Sequence, residues 1–293
     1  MIMDDKNSFL CNLCPNFCNV NRKVNKGACG ASEDISISKY GLHYFEEPVI
    51  SGSKGSGTVF FTGCSLRCVF CQNYELSRTL RGKVISPSEL ADIFKYLEDL
   101  GAHNVNLVTP SHYTKQIVKA FEIYKPNIPI VYNTHSFETI ENLKIIDPYV
   151  DIYLPDMKFF SPELSKRYTG KQNYFDVASE AINFMMESKK TVIENDLIKS
   201  GVIVRHLILP LCKSDSKKIV DWFLNNNKNG AYLSIMSQYT PINYNEKLPE
   251  LNRKITQKEY DSVVDYALSL NLDRVFIQDL SSASENFIPK WDF

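Results

Sequence analysis

The sequence predicts an α/β fold in which repeated strand and helix units form a closed or partial barrel, with a small appendage at the amino-terminal end. Short apolar and β-branched segments alternate with longer segments whose apolar residues recur at helical spacing. The 293 residues suit one barrel domain with an appendage. Seven of the 8 cysteines lie between Cys11 and Cys71, which marks this end of the chain as the appendage.

The predicted elements follow one another in β-α order. Strands are predicted over residues 59–62, 105–108, 128–132, 150–154, 202–209, 231–236 and 274–278. Helices are predicted over residues 87–100, 114–124, 138–146, 174–190, 216–227 and 257–270, and residues 86–89 and 256–259 have the capping-box pattern at two helix starts. In such a fold the active site lies where the parallel strands end, so the polar residues after each strand are the candidates.

Composition and charge exclude several classes of protein. With 44% apolar and 12% aromatic residues the chain is neither disordered nor fibrous. The 33 Lys and Arg residues balance 34 Asp and Glu residues, so nucleic-acid binding is not expected. Residues 1–6 lack the basic and apolar regions of a secretion signal, and the apolar stretch 201–212 is short and carries Arg205 and His206. We therefore expect a cytoplasmic protein that does not bind membranes.

The sharpest motif is Cys64, Cys68 and Cys71, spaced C-x3-C-x2-C directly after the strand-like residues 58–63. Three thiolates on one short loop, here called the cluster loop (residues 64–71), leave one iron of a four-iron cluster open to another ligand. A structural zinc site or buried thiols are the alternative. Structural zinc usually takes four protein ligands, and no His or fourth Cys follows Cys71 nearby.

These three cysteines, with aromatic Phe70 before the last one, resemble the signature of radical SAM enzymes. The resemblance implies a [4Fe–4S] cluster and S-adenosylmethionine (SAM) as cofactors, and a partial (βα)6-type TIM barrel as the fold. It also implies an oxidoreductase that reductively cleaves SAM to a 5′-deoxyadenosyl radical, which abstracts hydrogen from a substrate. We place the Cys-rich, metal-binding segment at residues 1–52 and the radical SAM barrel at residues 53–293.

Over nearly its whole length the chain resembles the PflX-like branch of this superfamily, which is related to pyruvate formate-lyase activating enzymes. The motifs that carry this resemblance are 11–15 with Cys18, 27–30, 43–48, 50–52, 55–58, 71–74, 153–158 and 204–206. One departure concerns the Gly-Gly-Glu segment that commonly holds the SAM amino group, because the matching place here reads Thr109-Pro110-Ser111. Backbone carbonyls, hydroxyls or another side chain must then bind that group. Asn133 and Thr134 stand where activating enzymes have Asp-Thr, which puts a cation site there in doubt.

We expect one cavity above the cluster loop. The candidate cofactor-binding residues are Phe70, Gln72, Asn73, Thr109, Ser111, Asn133, Thr134, Asp156, Lys158, Arg205 and Gln238. Asp156 and Lys158 are two positions apart and can bind the two charges of an amino acid group, with a solvated ion pair in a surface turn as the alternative. Arg205 lies in an apolar strand and is expected to point into the barrel mouth toward a carboxylate, with a structural salt bridge as the alternative.

The N-terminal cysteine group, Cys11, Cys14, Cys18 and Cys29, has enough thiolates to close a zinc site or to ligate every iron of an auxiliary cluster. Both metals, and free thiols, stay open at this point. The substrate is expected to be a protein, a peptide or a small metabolite, with glycyl-radical activation suggested by the resemblance. The expected electron donor is a protein such as flavodoxin or ferredoxin. The rival function is a non-catalytic zinc or iron–sulfur protein that binds a partner.

Overall fold

The computed structural model describes residues 10–242 and 244–282. Residues 1–6, which were used to predict the location, and the end of the predicted 53–293 domain lie outside the described residues. The strands are β1 (Ile35–His43), β2 (Ser56–Phe61), β3 (Lys83–Ile85), β4 (Val105–Val108), β5 (Ile130–Thr134), β6 (Ile152–Pro155), β7 (Val192–Glu194), β8 (Leu197–Leu207), β9 (Tyr232–Met236) and β10 (Val275–Ile277). The helices are α1 (Pro48–Ser51), α2 (Pro87–Asp99), α3 (Thr114–Ile123), α4 (Ile140–Ile146), α5 (Pro162–Thr169), α6 (Tyr174–Ser188), α7 (Lys213–Asn226) and α8 (Gln257–Ser269).

The described strands form one open sheet in the order β10-β9-β8-β6-β5-β4-β2-β1-β3, with β7 paired to β8. All neighbours from β2 to β10 along this order are parallel, whereas β1, β3 and β7 pair antiparallel. Each parallel strand lies beside the next parallel strand of the chain, and a helix connects each of these pairs. This arrangement confirms the predicted partial (βα)6 barrel.

Alternation along the strands separates an outer core from the inside of the barrel. In β8, Val202 and Val204 pack in the large core with the helices. Ile203 belongs to a smaller apolar cluster, and Arg205 lines a cavity, so these residues face inward. Ile50 of α1 packs in the same smaller cluster, which also contains residues of β5 and β6. Helix α1 therefore packs inside the barrel against inward-facing residues of β5, β6 and β8.

Helix α1 lies at the end of the barrel where the parallel strands begin. His43, the last residue of β1, pairs with Ser56, the first residue of β2, so the segment between them lies at the start of the parallel strands. The cluster loop follows β2 and lies at the other end. Strand β1 precedes the predicted domain boundary at residue 52 and β2 follows it, so their pairing carries the sheet across that boundary. The division into two domains stays a prediction.

Local sequence signals account for the starts of α2 and α8. Ser86 and Thr256 both form the predicted capping boxes, each with the Glu three residues later. The sequence analysis did not predict α1, α5 or the antiparallel strands β1, β3 and β7. Among the described residues, no helix is long and apolar enough to cross a membrane.

Candidate active site

The cluster loop begins at a position that only glycine suits. Gly63 has a φ of +86°, and a Cβ atom there would lie 3.0 Å from the carbonyl oxygen of Cys29. The N–H of Cys64 donates a 3.1 Å hydrogen bond to the same oxygen. The start of the cluster loop is therefore fixed against the N-terminal cysteine group.

Aromatic packing fixes the middle of the cluster loop. The N–H of Val69 donates to the carbonyl oxygen of Tyr168 at 2.9 Å. The Phe70 ring makes edge contacts with Phe159 and Tyr168, with centroid distances of 5.7 and 6.2 Å. Phe70 thus anchors the loop to α5 and the segment after β6, and it also lines the cavity described next.

A cavity of about 460 Å³ opens inside the barrel at the carboxyl ends of the strands. This volume lies within the range of about 300–1,000 Å³ that is usual for ligand pockets. The sequence-predicted residues that line it are Cys64, Cys68, Phe70, Cys71, Gln72, Asn73, Thr109, Asn133, Thr134, Asp156, Lys158, Arg205 and Gln238. Ser111 does not line the cavity. Its carbonyl oxygen accepts hydrogen bonds from Thr114 and Asn142, and its side chain is fully buried.

All three cysteines of the cluster loop line this cavity. Cys64 and Cys68 are buried, and Cys71 is partly buried. Burial raises the pKa of Cys64 to about 11 and also raises the pKa of Cys68. The thiols stay protonated in this environment unless a bound cation compensates the thiolate charge.

Asp156 and Lys158 form an ion pair in the cavity wall. The Lys158 ammonium donates to Asp156 Oδ2 at 2.6 Å. The Lys158 side chain is 17% exposed and that of Asp156 is 20% exposed, so the pair does not lie in a solvated surface turn. The Tyr174 hydroxyl donates to the carbonyl oxygen of Asp156 at 2.8 Å and accepts from the N–H of Lys158 at 3.1 Å. Although burial opposes the charged form, the attraction of Asp156 raises the pKa of Lys158. Both charges are therefore held in place.

Arg205 closes the floor of the cavity through a buried salt bridge. Its guanidinium donates to Glu47 Oε1 from Nε at 2.9 Å and to Glu47 Oε2 from Nη2 at 2.6 Å, and it also contacts Glu46. Although burial opposes ionisation, the Arg205 charge lowers the pKa of Glu47. The structure therefore shows the structural salt bridge that was the alternative for Arg205, while the side chain still lines the cavity.

Sequence reasoning missed the residues that α1 and its preceding loop bring into the cavity. Phe45, Glu46 and Glu47 all line it, and Glu46 also accepts a 3.0 Å hydrogen bond from the Asn106 side chain. One signal was present in the sequence, because a charged Arg205 inside an apolar strand needs an acidic partner. The partner lies 158 positions away in sequence, so only the fold identifies it.

His135, directly after β5, supports the cluster loop. The N–H of Phe137 donates to His135 Nδ1 at 3.0 Å, so the ring proton lies on Nε2, which donates to the Ser65 hydroxyl at 3.0 Å. Burial lowers the pKa of His135 to about 3. The ring is therefore neutral and positions Ser65 within the loop.

The N-terminal cysteine group lies directly against the cluster loop. Cys14 and Cys29 are buried, and a Cβ atom on Gly27 would lie 3.2 Å from the sulfur of Cys29 and 3.7 Å from that of Cys18. The Asn16 amide donates to the carbonyl oxygen of Ser65 at 2.8 Å and to the sulfur of Cys14 at 3.5 Å. Across the described ranges, no three or more His, Cys, Asp or Glu side chains are arranged to hold a metal ion as they stand.

Comparison with known proteins identifies the family. A sequence model of the radical SAM superfamily matches residues 58–203, the segment from β2 into β8. An uncharacterized protein of Methanocaldococcus jannaschii is 32% identical over 279 residues, which cover 91% of this chain and 76% of that relative. The chain belongs to the radical SAM superfamily.

Solved structures share the fold of this radical SAM protein. Streptococcus suis SuiB bound to its precursor peptide SuiA has a TM-score of 0.51 and 14% sequence identity, covering 75% of this chain and 48% of SuiB. Another SuiB structure has a TM-score of 0.50 and 15% identity, covering 76% and 49%. The radical SAM chain thus spans about half the length of SuiB, and at this identity the likeness concerns the fold alone.

Membership of the superfamily implies a [4Fe–4S] cluster and SAM as cofactors, and the residues at the site fit both. Cys64, Cys68 and Cys71 line one cavity and would supply three sulfur ligands. A cluster takes each thiolate at a different iron, so its ligands need not converge on one point. The fixed charges of Asp156 and Lys158 suit a zwitterionic amino acid group, and the cavity volume suits a nucleoside-sized ligand.

Proposed function

We propose that this protein is a radical SAM enzyme in which Cys64, Cys68 and Cys71 hold a [4Fe–4S] cluster and the adjoining cavity holds SAM. The single observation that carries the proposal is that all three thiols open into one cavity whose wall carries the Asp156–Lys158 ion pair. When bound, the cluster and SAM together supply the 5′-deoxyadenosyl radical that removes a hydrogen atom from the substrate.

The chain's own residues bind and orient the cofactors in this proposal. Lys158 would donate hydrogen bonds to the SAM carboxylate, and Asp156 would accept from its ammonium. Tyr174 holds the backbone of both residues in place for this role. Thr109, Asn133 and Thr134, at the ends of β4 and β5, offer further polar groups to the SAM amino group beside Asp156. The remaining cofactor contacts are proposed for Phe70, Gln72, Asn73, Arg205 and Gln238.

The α1 segment closes the barrel interior at the amino-terminal ends of the strands. Glu46 and Glu47 hold Arg205 across the floor, and Ile50 packs beside them among β-strand side chains. Water is therefore kept from the amino-terminal side of the cavity, and the substrate enters from the side of the cluster loop. We propose as substrate a protein segment, a peptide or a small metabolite, and glycyl-radical activation of a partner protein stays one form of this activity.

We further propose that the N-terminal cysteine group binds a second metal, either zinc or an auxiliary iron–sulfur cluster. The support is the burial of Cys14 and Cys29 and the shared approach of Cys18 and Cys29 to Gly27. All eight cysteines are free of disulfides, which supports a reducing, cytoplasmic location. An electron donor such as flavodoxin or ferredoxin completes the proposed system.

The experiment is an anaerobic assay of the reconstituted protein with SAM and dithionite, in which 5′-deoxyadenosine is quantified by mass spectrometry. We expect the wild-type protein to form 5′-deoxyadenosine, and Cys68→Ala to lose both the cluster absorbance and the product. Cys212→Ala is the matched control, because Cys212 is buried and does not line the cavity. Absence of product from an iron-loaded wild-type protein would favour the rival function, a non-catalytic metal protein that binds a partner.

A further inference from the structure

The floor of the cavity holds more negative than positive charge. Its ionic groups are Glu46, Glu47 and Arg205, which all line the cavity. Arg205 is ion-paired with both carboxylates, and the three side chains are only 6 to 11% exposed. Two carboxylates therefore share one guanidinium, and one negative charge is left in excess.

The described residues around the floor supply no further positive charge. Among those that line the cavity, the only other lysine or arginine is Lys158, which is paired with Asp156. His43 also lines the cavity, but burial and the charge of Arg205 lower the pKa of its imidazole from the usual 6.5, although Glu46 opposes this, so the ring is neutral at pH 7. An unbalanced charge in a poorly solvated place favours a ligand of opposite charge. The floor therefore favours a cation.

Asn106 offers a second acceptor beside Glu46. Its side-chain N–H group donates to Glu46 Oε1 at 3.0 Å, so the amide lies against this carboxylate. The side chain is fully buried, and its Oδ1 atom has no hydrogen-bond partner among the described residues. A buried carbonyl oxygen without a donor is costly. An ammonium group has three N–H donors and can serve both Asn106 and Glu46.

Aromatic rings lie beside these acceptors. Phe276 of β10 is in register with Ser234 of β9, which is in register with Arg205 of β8, and all three line the cavity. Phe45, the residue before Glu46, also lines the cavity. The face of an aromatic ring attracts organic cations, whereas it offers nothing to an anion. The rings therefore favour the same kind of ligand as the charges do.

We propose that Glu46, with Asn106 and the ring of Phe276, binds a primary ammonium group of the substrate, carried by a lysine side chain or by a small alkylamine. The inference rests on the proposed function and names the substrate class of the same cavity. Glu47 holds Arg205 through two hydrogen bonds, so the negative charge in excess belongs to Glu46. Asp156 and Lys158 are assigned to the amino acid group of SAM, so this group and the substrate ammonium have separate partners.

Binding of Nα-acetyl-lysine N-methylamide to the cluster-loaded protein, measured by ligand-observed NMR with SAM but without reductant, tests the inference. SAM is not cleaved under these conditions, so the measurement does not depend on activity. We expect the lysine derivative to bind about tenfold more tightly than the norleucine derivative, which lacks the ammonium.

Glu46→Gln should weaken binding of the lysine derivative by about tenfold and leave the Kd of SAM unchanged. Glu259→Gln is the matched control and should bind the lysine derivative as the wild type does. Both glutamates have side chains that are 10% exposed and paired with an arginine, but Glu259 does not line the cavity. If Glu46→Gln loses iron, the comparison of the lysine and norleucine derivatives on the wild type decides alone.

Two sources of the ammonium are separated by n-pentylamine. Binding of pentylamine as tight as that of the lysine derivative supports a small amine, and weaker binding supports a peptide. Equal binding of the lysine and norleucine derivatives overturns the ammonium site, as does equal competition by potassium ions. Weaker SAM binding in Glu46→Gln also overturns it, because the charge would then serve SAM. A wild type that forms 5′-deoxyadenosine with dithionite but does not bind the lysine derivative refutes this inference and leaves the proposed function standing.

Discussion

The backbone N–H of Cys64 donates a 3.1 Å hydrogen bond to the carbonyl oxygen of Cys29, and this bond joins the two cysteine groups of the chain. Asn16 adds a second link, because its amide contacts both Cys14 and the carbonyl oxygen of Ser65. A metal bound to the N-terminal cysteine group would therefore hold the cluster loop in position. The N-terminal cysteine group and the cluster loop are therefore in direct contact.

We predict that Cys29→Ser removes the second metal, because a hydroxyl binds zinc or iron far more weakly than a thiolate. Zinc, iron and sulfide are measured on the same anaerobic sample. Loss of zinc with unchanged iron identifies a zinc site, whereas loss of about four iron atoms per chain identifies an auxiliary cluster. Cys212→Ser should leave all three values unchanged, and an unchanged metal content in Cys29→Ser would refute the second site.

We predict that Asp156→Asn weakens SAM binding by roughly 10- to 100-fold, because the amide cannot pair with Lys158 or with the SAM ammonium as a carboxylate does. Equilibrium dialysis of SAM against the cluster-loaded protein measures the Kd, and iron content should not change. Asp147→Asn is the matched control. Its Asp147–Lys189 pair, 3.3 Å apart, is also partly buried but does not line the cavity. Similar losses in both variants would contradict a role of Asp156 in the site.

We predict that Glu47→Gln lowers the free energy of unfolding by about 3 kcal/mol, at the low end for a broken buried ion pair because Glu46 still contacts Arg205. Urea denaturation under anaerobic conditions measures the change. Lys95→Gln, which breaks the exposed Lys95–Asp99 pair within α2, should change stability little. A loss in Glu47→Gln no larger than that in Lys95→Gln would mean that the floor is not held by this bridge.

A pH dependence of stability is expected from Glu138. This carboxyl is buried and accepts a 2.6 Å hydrogen bond from Thr134, and burial raises its pKa from 4.5 to about 7. The folded protein therefore retains a proton that the unfolded chain has already released, so this contribution to stability is lost as the pH rises to about 7. Between pH 5.5 and 8 the loss is about 2 kcal/mol.

Glu138→Gln should remove that part of the pH dependence, because the amide does not titrate. The free energy of unfolding of both proteins is measured in urea at the two pH values under the same anaerobic conditions. The difference between them isolates the contribution of Glu138 from that of the metal sites. If the variant and the wild type lose equal stability over this range, Glu138 does not carry the proton.

The sequence predicted the barrel because its signals are local. The apolar segment 105–108 coincides with β4, and the capping boxes at Ser86 and Thr256 mark the starts of α2 and α8. Strand β7 escaped prediction because it has only three residues, too few for an alternation of apolar and polar side chains to be recognised. Helix α1 has four residues, which is too few for a helical pattern to be recognised.

By itself, the sequence determined the family-like cysteine motif, the alternation of parallel strands and helices along the chain and the polar residues at the strand ends, since spacing and alternation are properties of neighbouring residues. Only the tertiary structure decided that Glu47 is the partner of Arg205, that Ser111 lies outside the cavity and that Cys29 contacts the cluster loop. These contacts join residues far apart in the chain. Packing selects them among many possible partners, because a buried charge or N–H group must find whichever acceptor the folded chain brings to it.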